Sequence, residues 1–197
     1  MTSETPSTFR RSERSRLAIL DAALALAREQ GYARLTIEAI AARAGVGKQT
    51  IYRWWPSKAA VLLDALEGAS SGSNPIRYSS DVVADVRQFV AKLAALLADD
   101  DFGPHVGALI CAAQHDPVVR DAVLEGHLKP SRPALAERLR AAQRSGQLPT
   151  RLDVDALIDL IFGALYPRLL LRTKPLDKRY AHFVVDTVFA GIAKEAR

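Results

Sequence analysis

Apolar residues recur at intervals of three and four along most of the chain, whereas the strict alternation typical of β-strands is scarce. Between residues 14 and 30, one apolar stripe contains Leu17, Leu20 and Leu24, and Gly31 follows at the position of a helix stop. Alanine and leucine, both strong helix formers, are abundant. The pattern therefore predicts an all-α protein whose first amphipathic helix covers these residues.

Further amphipathic helices are predicted C-terminal to residue 75. Pro130 and Pro133 should break or kink one of them, and Pro167 should kink another, because proline lacks the N–H group that the helix needs. The predicted segments are 81–98, a short stretch after Pro104, 117–144 with an interruption at 129–133, 153–171 and 178–193.

A stretch rich in Gly, Ser, Asn and Pro, residues 68–75, is the clearest change of composition in the chain. It predicts a domain boundary at about residue 70, although an ordinary interhelical loop can have the same composition. Residues 1–12 are polar and show no periodicity, which predicts a mobile arm. In and just after this arm, the arginines would either reach a phosphate or a minor groove or belong to a solubilising tail; they are Arg10, Arg11, Arg14 and Arg16. The predicted organisation is an arm (1–12), an N-terminal domain (13–70) and a C-terminal domain (71–197).

The residues from Thr36 to Lys58 predict two short helices around a tight turn. Thr36 can cap the first helix through its hydroxyl oxygen, and Gly45 can end it because glycine adopts the left-handed conformation readily. Gly47 opens the second helix, which should end before Pro56, since the residue preceding proline is pushed out of the helical region. Two short helices joined in this way are a helix-turn-helix candidate.

The run Ile40-Ala41, Ala44-Gly45-Val46 and Thr50-Ile51-Tyr52-Arg53-Trp54-Trp55-Pro56-Ser57-Lys58 resembles the DNA-binding signature of the tetracycline-repressor (TetR-type) family of bacterial transcriptional regulators. The resemblance spans roughly residues 14 to 66. Two positions depart from the common pattern, because Gly47 stands where a Ser or Thr cap is usual and Trp54 stands where His or Tyr is frequent. The resemblance implies an N-terminal three-helix DNA-binding domain followed by a C-terminal helical domain for ligand binding and dimerisation.

The second helix of the motif carries side chains that can read base edges in a major groove. Gln pairs with adenine, Arg and Lys pair with guanine, and the Thr methyl group can meet a thymine methyl group. The alternative is a solvated polar helix face. The candidate base-reading residues are Lys48, Gln49, Thr50 and Arg53.

The resemblance also implies contacts to the DNA backbone. Tyr52 and Lys58 would bond to phosphates, and Thr36 would offer the N-terminus of its helix to another phosphate. Trp55 falls at the buried aromatic position of the family. Trp54 is ambiguous between a phosphate contact and packing.

The net charge of +5 is concentrated at the N-terminal end. Residues 1–60 contain ten Lys and Arg against five Asp and Glu, whereas residues 61–197 contain seventeen of each. A basic end beside a neutral remainder is what phosphate neutralisation requires. A solubilising basic face would have the same charge, so this observation supports DNA binding only together with the motif.

Composition indicates a cytoplasmic protein without a membrane span. The single cysteine allows no disulfide within the chain. Residues 1–9 lack the apolar core of a signal peptide. The longest uncharged apolar run, between Asp159 and Arg168, is far shorter than a transmembrane helix.

The pattern does not favour an enzyme. His105, Cys111, His115 and His127 are the nearest approach to a reactive cluster, and two of them share a helix face at best. No CxxC, HExxH, GxSxG or glycine-rich phosphate loop accompanies them. We therefore expect no catalytic residue, no metal and no cofactor. A metal-dependent hydrolase built on this cluster remains an alternative.

The last two predicted helices are apolar around most of their circumference, so they need partners on more than one side. One side can be the domain core and the other a second copy of the chain, which gives an isologous four-helix interface. In the family that the motif resembles, the two C-terminal helices form this dimer. The candidate interface residues are Leu157, Ile161, Leu165, Tyr180, Val184 and Val188.

By resemblance, the chain is expected to be a repressor that binds a palindromic double-stranded operator as a homodimer and is released by a small-molecule effector of unknown identity. An activator of the same fold and a helical interaction module without specific DNA binding are the alternatives. Candidate pocket residues are polar or aromatic groups on otherwise aliphatic helices: Phe89, Phe102, His105, Cys111, Gln114 and Phe162.

Overall fold

The computed structural model describes residues 6–69 and 75–195, and within these residues it contains helices and no strand, which confirms the all-α prediction. A π-helical turn, Leu124–Leu128, separates the seventh helix from the eighth. The helices are α1 (Pro6–Arg34), α2 (Ile37–Ala44), α3 (Lys48–Tyr52), α4 (Lys58–Ala69), α5 (Val82–Ala98), α6 (Phe102–Ala113), α7 (Pro117–Val123), α8 (Lys129–Arg144), α9 (Val154–Leu170) and α10 (Lys178–Glu195).

The first helix starts earlier than expected. It begins at Pro6, so residues 6–12, which we assigned to a mobile arm, are helical; residues 1–5 of that arm lie outside the described residues. Proline suits the first turn of a helix, where its missing N–H would have no partner. At the other end, Gly31 has φ 77° and ψ 164°, which interrupts the helical conformation at the predicted stop.

The described chain divides into two compact units. The first combines Met1–Ser71 with Ala108–His127, and the second combines Gly72–Gly107 with Leu128–Arg197. The first division lies beside the boundary that composition placed at about residue 70. The second division falls inside α6, where the sequence gives no signal, and it assigns α7 to the same unit as the N-terminal helices.

In the first unit, α1 packs against α2 and α4, and α4 packs against α7. The side chains of Ile19, Leu35, Ile40, Ile51 and Leu62 are completely buried. Burying an aliphatic side chain of this size contributes about 1.5 to 3 kcal/mol. The short helices α2 and α3 therefore depend on their buried apolar side chains rather than on intrinsic helix stability.

In the second unit, α5 packs along α10, and α9 packs against α8 and α10. Its core includes Phe89, Leu139, Ile158 and Ile161. None of the helices in the described residues is long and apolar enough to cross a membrane.

An ion pair is buried in the second unit. Asp85 is 3% exposed and Arg138 is 2% exposed, and Nε of Arg138 donates to Oδ2 of Asp85 at 2.8 Å. The backbone N–H and the hydroxyl of Ser79 also donate to Asp85, each at 2.8 Å. Nη2 of Arg138 donates to Ser79 O at 3.0 Å and to Gln147 Oε1 at 3.4 Å. The cluster ties α8 to the start of α5.

Burial opposes ionisation of Asp85, but the hydrogen bonds from Ser79 and Arg138 outweigh it, so the pKa of Asp85 lies below its ordinary value. The carboxylate is therefore ionised wherever the protein is near neutral pH. Its stabilising contribution is complete above the unfolded pKa and is lost as pH falls through the lower folded value.

The interruption predicted at 129–133 is misplaced, because α8 begins at Lys129 and contains both Pro130 and Pro133. The helix is irregular just before that point instead. The irregularity is the π-helical turn, which contains Gly126, the residue four positions before Pro130. A proline ring clashes with the carbonyl group four residues earlier and cannot bond to it. Pro167 lies in the last turn of α9, which ends at Leu170.

Candidate nucleic-acid interface

The turn between α2 and α3 has the geometry that its sequence predicts. Thr36 is extended, and its Oγ1 accepts a hydrogen bond from the N–H of Ala39 at 3.1 Å. Gly45 has φ 66°, in the left-handed region, and Val46 N–H donates back to Ala41 O at 3.0 Å. The cap and the glycine stop therefore fix where α2 begins and ends.

Helix α3 is only five residues long, and no side chain caps its first turn at Gly47. Tertiary contacts hold it instead. Ile51 is completely buried, and Trp55 just beyond the helix is buried as expected. The indole N–H of Trp55 donates to Asp64 Oδ2 at 2.9 Å, and the same oxygen accepts from Nη1 of Arg16 at 3.1 Å. One carboxylate on α4 thus joins α1 to the end of the α3 region.

Most of the other side chains of this stretch face solvent. We call residues 48–54 the recognition segment. Tyr52 is 50% exposed and Trp54 is 42% exposed, whereas Thr50 is half-buried. The helix therefore has an apolar side toward the core and a polar side that is exposed to solvent. The exposed residues of the recognition segment are Lys48, Gln49, Tyr52, Arg53 and Trp54.

Trp54 is exposed but not isolated. The guanidinium carbon of Arg53 lies 5.9 Å from the centroid of its ring, within the range of a cation–π contact. Its ring centroid is 6.2 Å from that of Trp55, at an interplanar angle of 36°. Trp54 therefore presents an aromatic face beside a cation at the surface, which fits a contact with DNA as well as packing.

Two cations of this region are paired with carboxylates. Nζ of Lys48 lies 3.1 Å from Oε1 of Glu38 on α2. Arg43 forms a bidentate ion pair with Glu29, in which Nη1 donates to Oε2 at 2.7 Å and Nη2 donates to Oε1 at 2.6 Å. The pKa of Glu38 lies below its usual value, because its carboxylate accepts a hydrogen bond from the Glu38 backbone amide and pairs with the Lys48 ammonium group. Glu38 was not among the sequence-derived candidates, because only the folded turn brings it to Lys48.

The ammonium group of Lys58 donates to backbone carbonyl groups within the chain rather than being free for a phosphate. Its Nζ donates to Leu35 O at 2.7 Å and to Tyr32 O at 3.3 Å, and it lies 4.6 Å from the centroid of the Tyr32 ring. Burial lowers the pKa of Lys58, while the charge of Asp116 acts in the opposite direction. Through its two hydrogen bonds, the ammonium group links the start of α4 to the chain between α1 and α2.

The hydroxyl group of Tyr32 is buried and has no hydrogen-bond partner among the described residues. Burial and the nearby charge of Asp116 raise the pKa of Tyr32. The phenol is therefore neutral near physiological pH, and it offers Lys58 the face of its ring.

The six candidate pocket residues do not form one set. Phe89, Phe102, His105 and Phe162 are buried in the second unit. Cys111 and Gln114 belong to the first unit and are exposed, so we withdraw them as pocket residues. A helix alternates buried and exposed faces, and spacing alone did not show on which face these two lie.

Within the described ranges, no three His, Cys, Asp or Glu side chains are grouped so that they could hold a metal ion. His115 is exposed, as is Cys111. The side chain of His127, the remaining member of the sequence-derived cluster, lies outside what the structure describes.

The candidate dimer residues require a correction. Leu157, Ile161, Leu165 and Val184 are buried within the chain's own second unit. Tyr180 and Val188 are half-buried. A helix that is apolar all round shows from sequence that it has two partners, but not which stripe faces which partner.

Tyr180 is also occupied within the chain. Its hydroxyl donates to Ala164 O at 2.9 Å, and the guanidinium carbon of Arg168 lies 3.2 Å from the centroid of its ring. These contacts join α9 to α10.

The opposite stripe of these two helices is exposed and apolar. Leu160 is 64% exposed, Leu171 is 74% exposed and Phe183 is 64% exposed. Apart from its chain neighbours and the backbone of its own helix, no described atom lies within 4 Å of where a Cβ of residue 163 would stand, and Gly163 is on the same side of α9 as Leu160 and Pro167. We call Leu160, Gly163, Pro167, Leu171 and Phe183 the exposed apolar stripe.

Comparisons with known families cover both parts of the chain. Residues 19–65 match the family described as bacterial regulatory proteins, tetR family. Residues 79–188 match the domain described as tetracyclin repressor-like, C-terminal domain. The first match contains the whole of α2 and α3, and the second contains α5 to α9.

Individual relatives are similar over nearly the full length. The uncharacterized HTH-type transcriptional regulator YdeS of Bacillus subtilis (strain 168) is 32% identical over 182 residues, which cover 92% of this chain and 91% of the relative. The DNA-binding transcriptional repressor TetR of Mycobacteroides abscessus is 28% identical, over 90% of this chain and 93% of the relative. The crystal structure of the TetR family transcription regulator SCO0332 has a TM-score of 0.73 and 33% identity, covering 90% of this chain and 98% of that one.

Proposed function

The chain belongs to the TetR family of bacterial transcriptional regulators, and from this premise we propose that it represses transcription as a homodimer bound to a palindromic operator in the cytoplasm. In this proposal a small molecule releases the repressor from DNA. The family assignment rests on the two matched domains and on the relatives that are at least 30% identical.

The observation that carries operator reading is the two-sided recognition segment. Ile51 and the adjacent Trp55 anchor it to the core, while its polar side chains remain exposed. In this arrangement Gln49 and Arg53 reach base edges, Tyr52 bonds a phosphate, and Thr36 presents the N-terminus of α2 to another phosphate. In this proposal Lys58 binds the backbone carbonyl groups of Tyr32 and Leu35 and does not bind a phosphate.

Dimerisation is proposed through the exposed apolar stripe. Large apolar side chains exposed on α9 and α10, with an open glycine on α9, suit close packing against a second copy. A twofold axis through α9 and α10 would give each dimer two recognition segments. Such a dimer reads two half-sites about one helical turn apart.

Release by an effector is proposed from family membership. An effector acts by binding one of two conformations more tightly than the other, and operator DNA prefers the second. A bound molecule would contact buried residues of the second unit, namely Phe89, Phe102, His105 and Phe162. Repression is the sign of regulation that the name of the M. abscessus relative supports.

The test is selection from randomised duplexes by the purified protein at near-physiological salt. An inverted repeat should emerge after several rounds, and its half-site spacing should be close to one helical turn. The matched variant is Arg53→Ala, which removes an exposed base-reading group and leaves the anchors intact. If the wild-type pool stays random, the operator-reading proposal is wrong; if Arg53→Ala selects the same repeat with equal affinity, the assigned face is wrong.

A further inference from the structure

One carboxylate touches the recognition segment. Oε1 of Glu38 lies 3.1 Å from Nζ of Lys48, the first residue of α3, and the two side chains are 65% and 55% exposed. Glu38 is the second residue of α2, so it lies beside the end of that helix which Thr36 caps. The pair therefore bridges the two helices on the solvent side of the turn.

We infer that Glu38 is a specificity-determining residue that acts through Lys48, directing its ammonium group away from phosphates and toward a G·C base pair. The inference rests on the proposed operator reading.

The distribution of charge shows what the pair does to phosphate attraction. Arg43, on α2, is held by Glu29, and Lys48 is held by Glu38. Within the ranges that the structure describes, no carboxylate forms an ion pair with Arg53. Non-specific affinity for DNA grows with the number of cations that neutralise phosphates. By occupying Lys48, Glu38 reduces that number for every DNA sequence alike.

The pair is also the chemical complement of one base pair. In the major groove, guanine presents two acceptors, O6 and N7, and its cytosine partner presents an amino donor, N4. Lysine donates to guanine, and a carboxylate accepts from the cytosine amino group. Lys48 and Glu38 place a donor and an acceptor next to each other. At a thymine, the carboxylate would face the O4 acceptor and the methyl group, neither of which can donate to it.

These two effects favour the operator over other DNA. On a random sequence, the Glu38 carboxylate meets phosphates and base edges that offer it no donor. Lys48 therefore remains paired with Glu38. On an operator with G·C at the right position, the ion pair opens, Lys48 donates to the guanine, and Glu38 accepts from the cytosine amino group. Exposed ion pairs contribute little to folding, so the exchange is open to both side chains without loss of the fold.

The experiment uses the full-length protein and the operator obtained by selection. Dissociation constants are measured between 50 and 200 mM salt for wild type, Glu38→Gln, Lys48→Met and the double variant. The duplexes are the operator, each single base-pair replacement in one half-site, and a shuffled sequence. Glu137→Gln, which breaks an exposed pair with Arg144 in the second unit, is the matched charge control. All substituted positions are exposed, and circular dichroism verifies that each variant is folded.

Glu38→Gln is expected to steepen the salt dependence on shuffled DNA by about 0.9 per subunit, since one more cation per subunit becomes available to phosphates. For a homodimer with both subunits on the duplex the slope changes by about 1.8, which corresponds to a further loss of about 12-fold in affinity between 50 and 200 mM salt. The ratio of operator to shuffled affinity should fall severalfold, and discrimination at one G·C position per half-site should relax. In the Lys48→Met background the same substitution should change little.

The outcomes separate this inference from the proposed function. If wild type prefers no duplex, both are overturned. If wild type selects an operator but Glu38→Gln keeps the same affinity ratio and base preferences, only the role of Glu38 is overturned. An equal effect of Glu38→Gln with and without Lys48, or an equal effect of Glu137→Gln, would also overturn it, because the carboxylate would then repel DNA without acting through Lys48.

Discussion

Replacing Arg138 by methionine should be among the most destabilising single substitutions in the second unit. The side chain is 2% exposed, and its guanidinium group donates to Asp85, to Ser79 O and to Gln147. Methionine fills a similar volume without a charge. The Asp85 carboxylate would then remain buried with only the two hydrogen bonds from Ser79.

The expected loss is about 3 to 5 kcal/mol in the free energy of unfolding, the range found when one partner of a buried ion pair is removed. Net contributions of about 1.5 to 3 kcal/mol for hydrogen bonds to charged groups lead to a similar figure. This is a large part of the 5 to 15 kcal/mol that typically stabilises a domain. Arg140→Met is the matched control: Arg140 lies two residues further along α8, is exposed and pairs with Asp155 at 3.5 Å, so we expect a loss below about 0.5 kcal/mol.

The loss should depend on pH with a definite sign. In wild type, Arg138 and Ser79 keep the pKa of Asp85 low against the effect of burial. Without Arg138, burial dominates and the folded pKa should rise above the ordinary value for Asp, about 3.9. A raised carboxyl pKa makes the folded variant more stable as pH falls, since protonation removes the buried charge. The difference between wild type and variant should therefore shrink between pH 7 and pH 4, while other titrating groups cancel.

The assay is urea unfolding at fixed protein concentration, because association shifts apparent stability. Circular dichroism follows all helices, whereas fluorescence from Trp54 and Trp55, the two tryptophans of the chain, follows the first unit. If Arg138→Met does not fold, Asp85→Asn is the milder substitution at the same pair. A loss below about 1 kcal/mol, or a loss that stays constant from pH 7 to pH 4, would refute the assignment of a stabilising buried ion pair.

Three other predictions concern the first unit and the exposed apolar stripe. Thr36→Ala should lower the free energy of unfolding by about 1 kcal/mol through loss of the helix cap, whereas Thr36→Ser should retain it; equal losses in urea unfolding would contradict this. Lys58→Met should lower stability by about 1 to 3 kcal/mol yet leave the salt dependence of operator binding unchanged, and a slope reduced by about one per subunit would instead mark a phosphate contact. Leu160→Glu with Phe183→Glu should yield a folded monomer in sedimentation, whereas Val118→Glu, at an exposed valine of the first unit, should leave the dimer intact.

Local chemistry made the helix-turn-helix predictable. A cap at Thr36, a left-handed glycine at Gly45 and a proline at 56 act over a few residues, so the sequence alone places the helix ends. Apolar periodicity likewise gave the helices of the C-terminal half within a few residues. The start of α1 was misplaced, because residues 6–12 are polar and lack apolar periodicity although Pro6 suits the first turn of a helix.

Contacts between distant residues were not predictable in the same way. The two carbonyl oxygens that Lys58 meets lie more than twenty residues earlier in the chain. The orientation of α9, which buries Leu157 and exposes Leu160, depends on which neighbours pack against it. The Glu38–Lys48 pair exists only because the turn folds back. Periodicity reports that a face is apolar or charged, and the fold decides what that face touches.

The recognition segment keeps its anchors and its exposed positions on opposite sides. Ile51 and Trp55 hold it, with Asp64 as the hydrogen-bond acceptor for the indole, while Gln49 and Arg53 make no contact that the core needs. Substitutions at the exposed positions can therefore accumulate without weakening the domain. Gene duplication followed by drift at these few positions would yield paralogues with new operators, and the same separation allows an experimenter to reprogram target choice by exchanging surface residues alone.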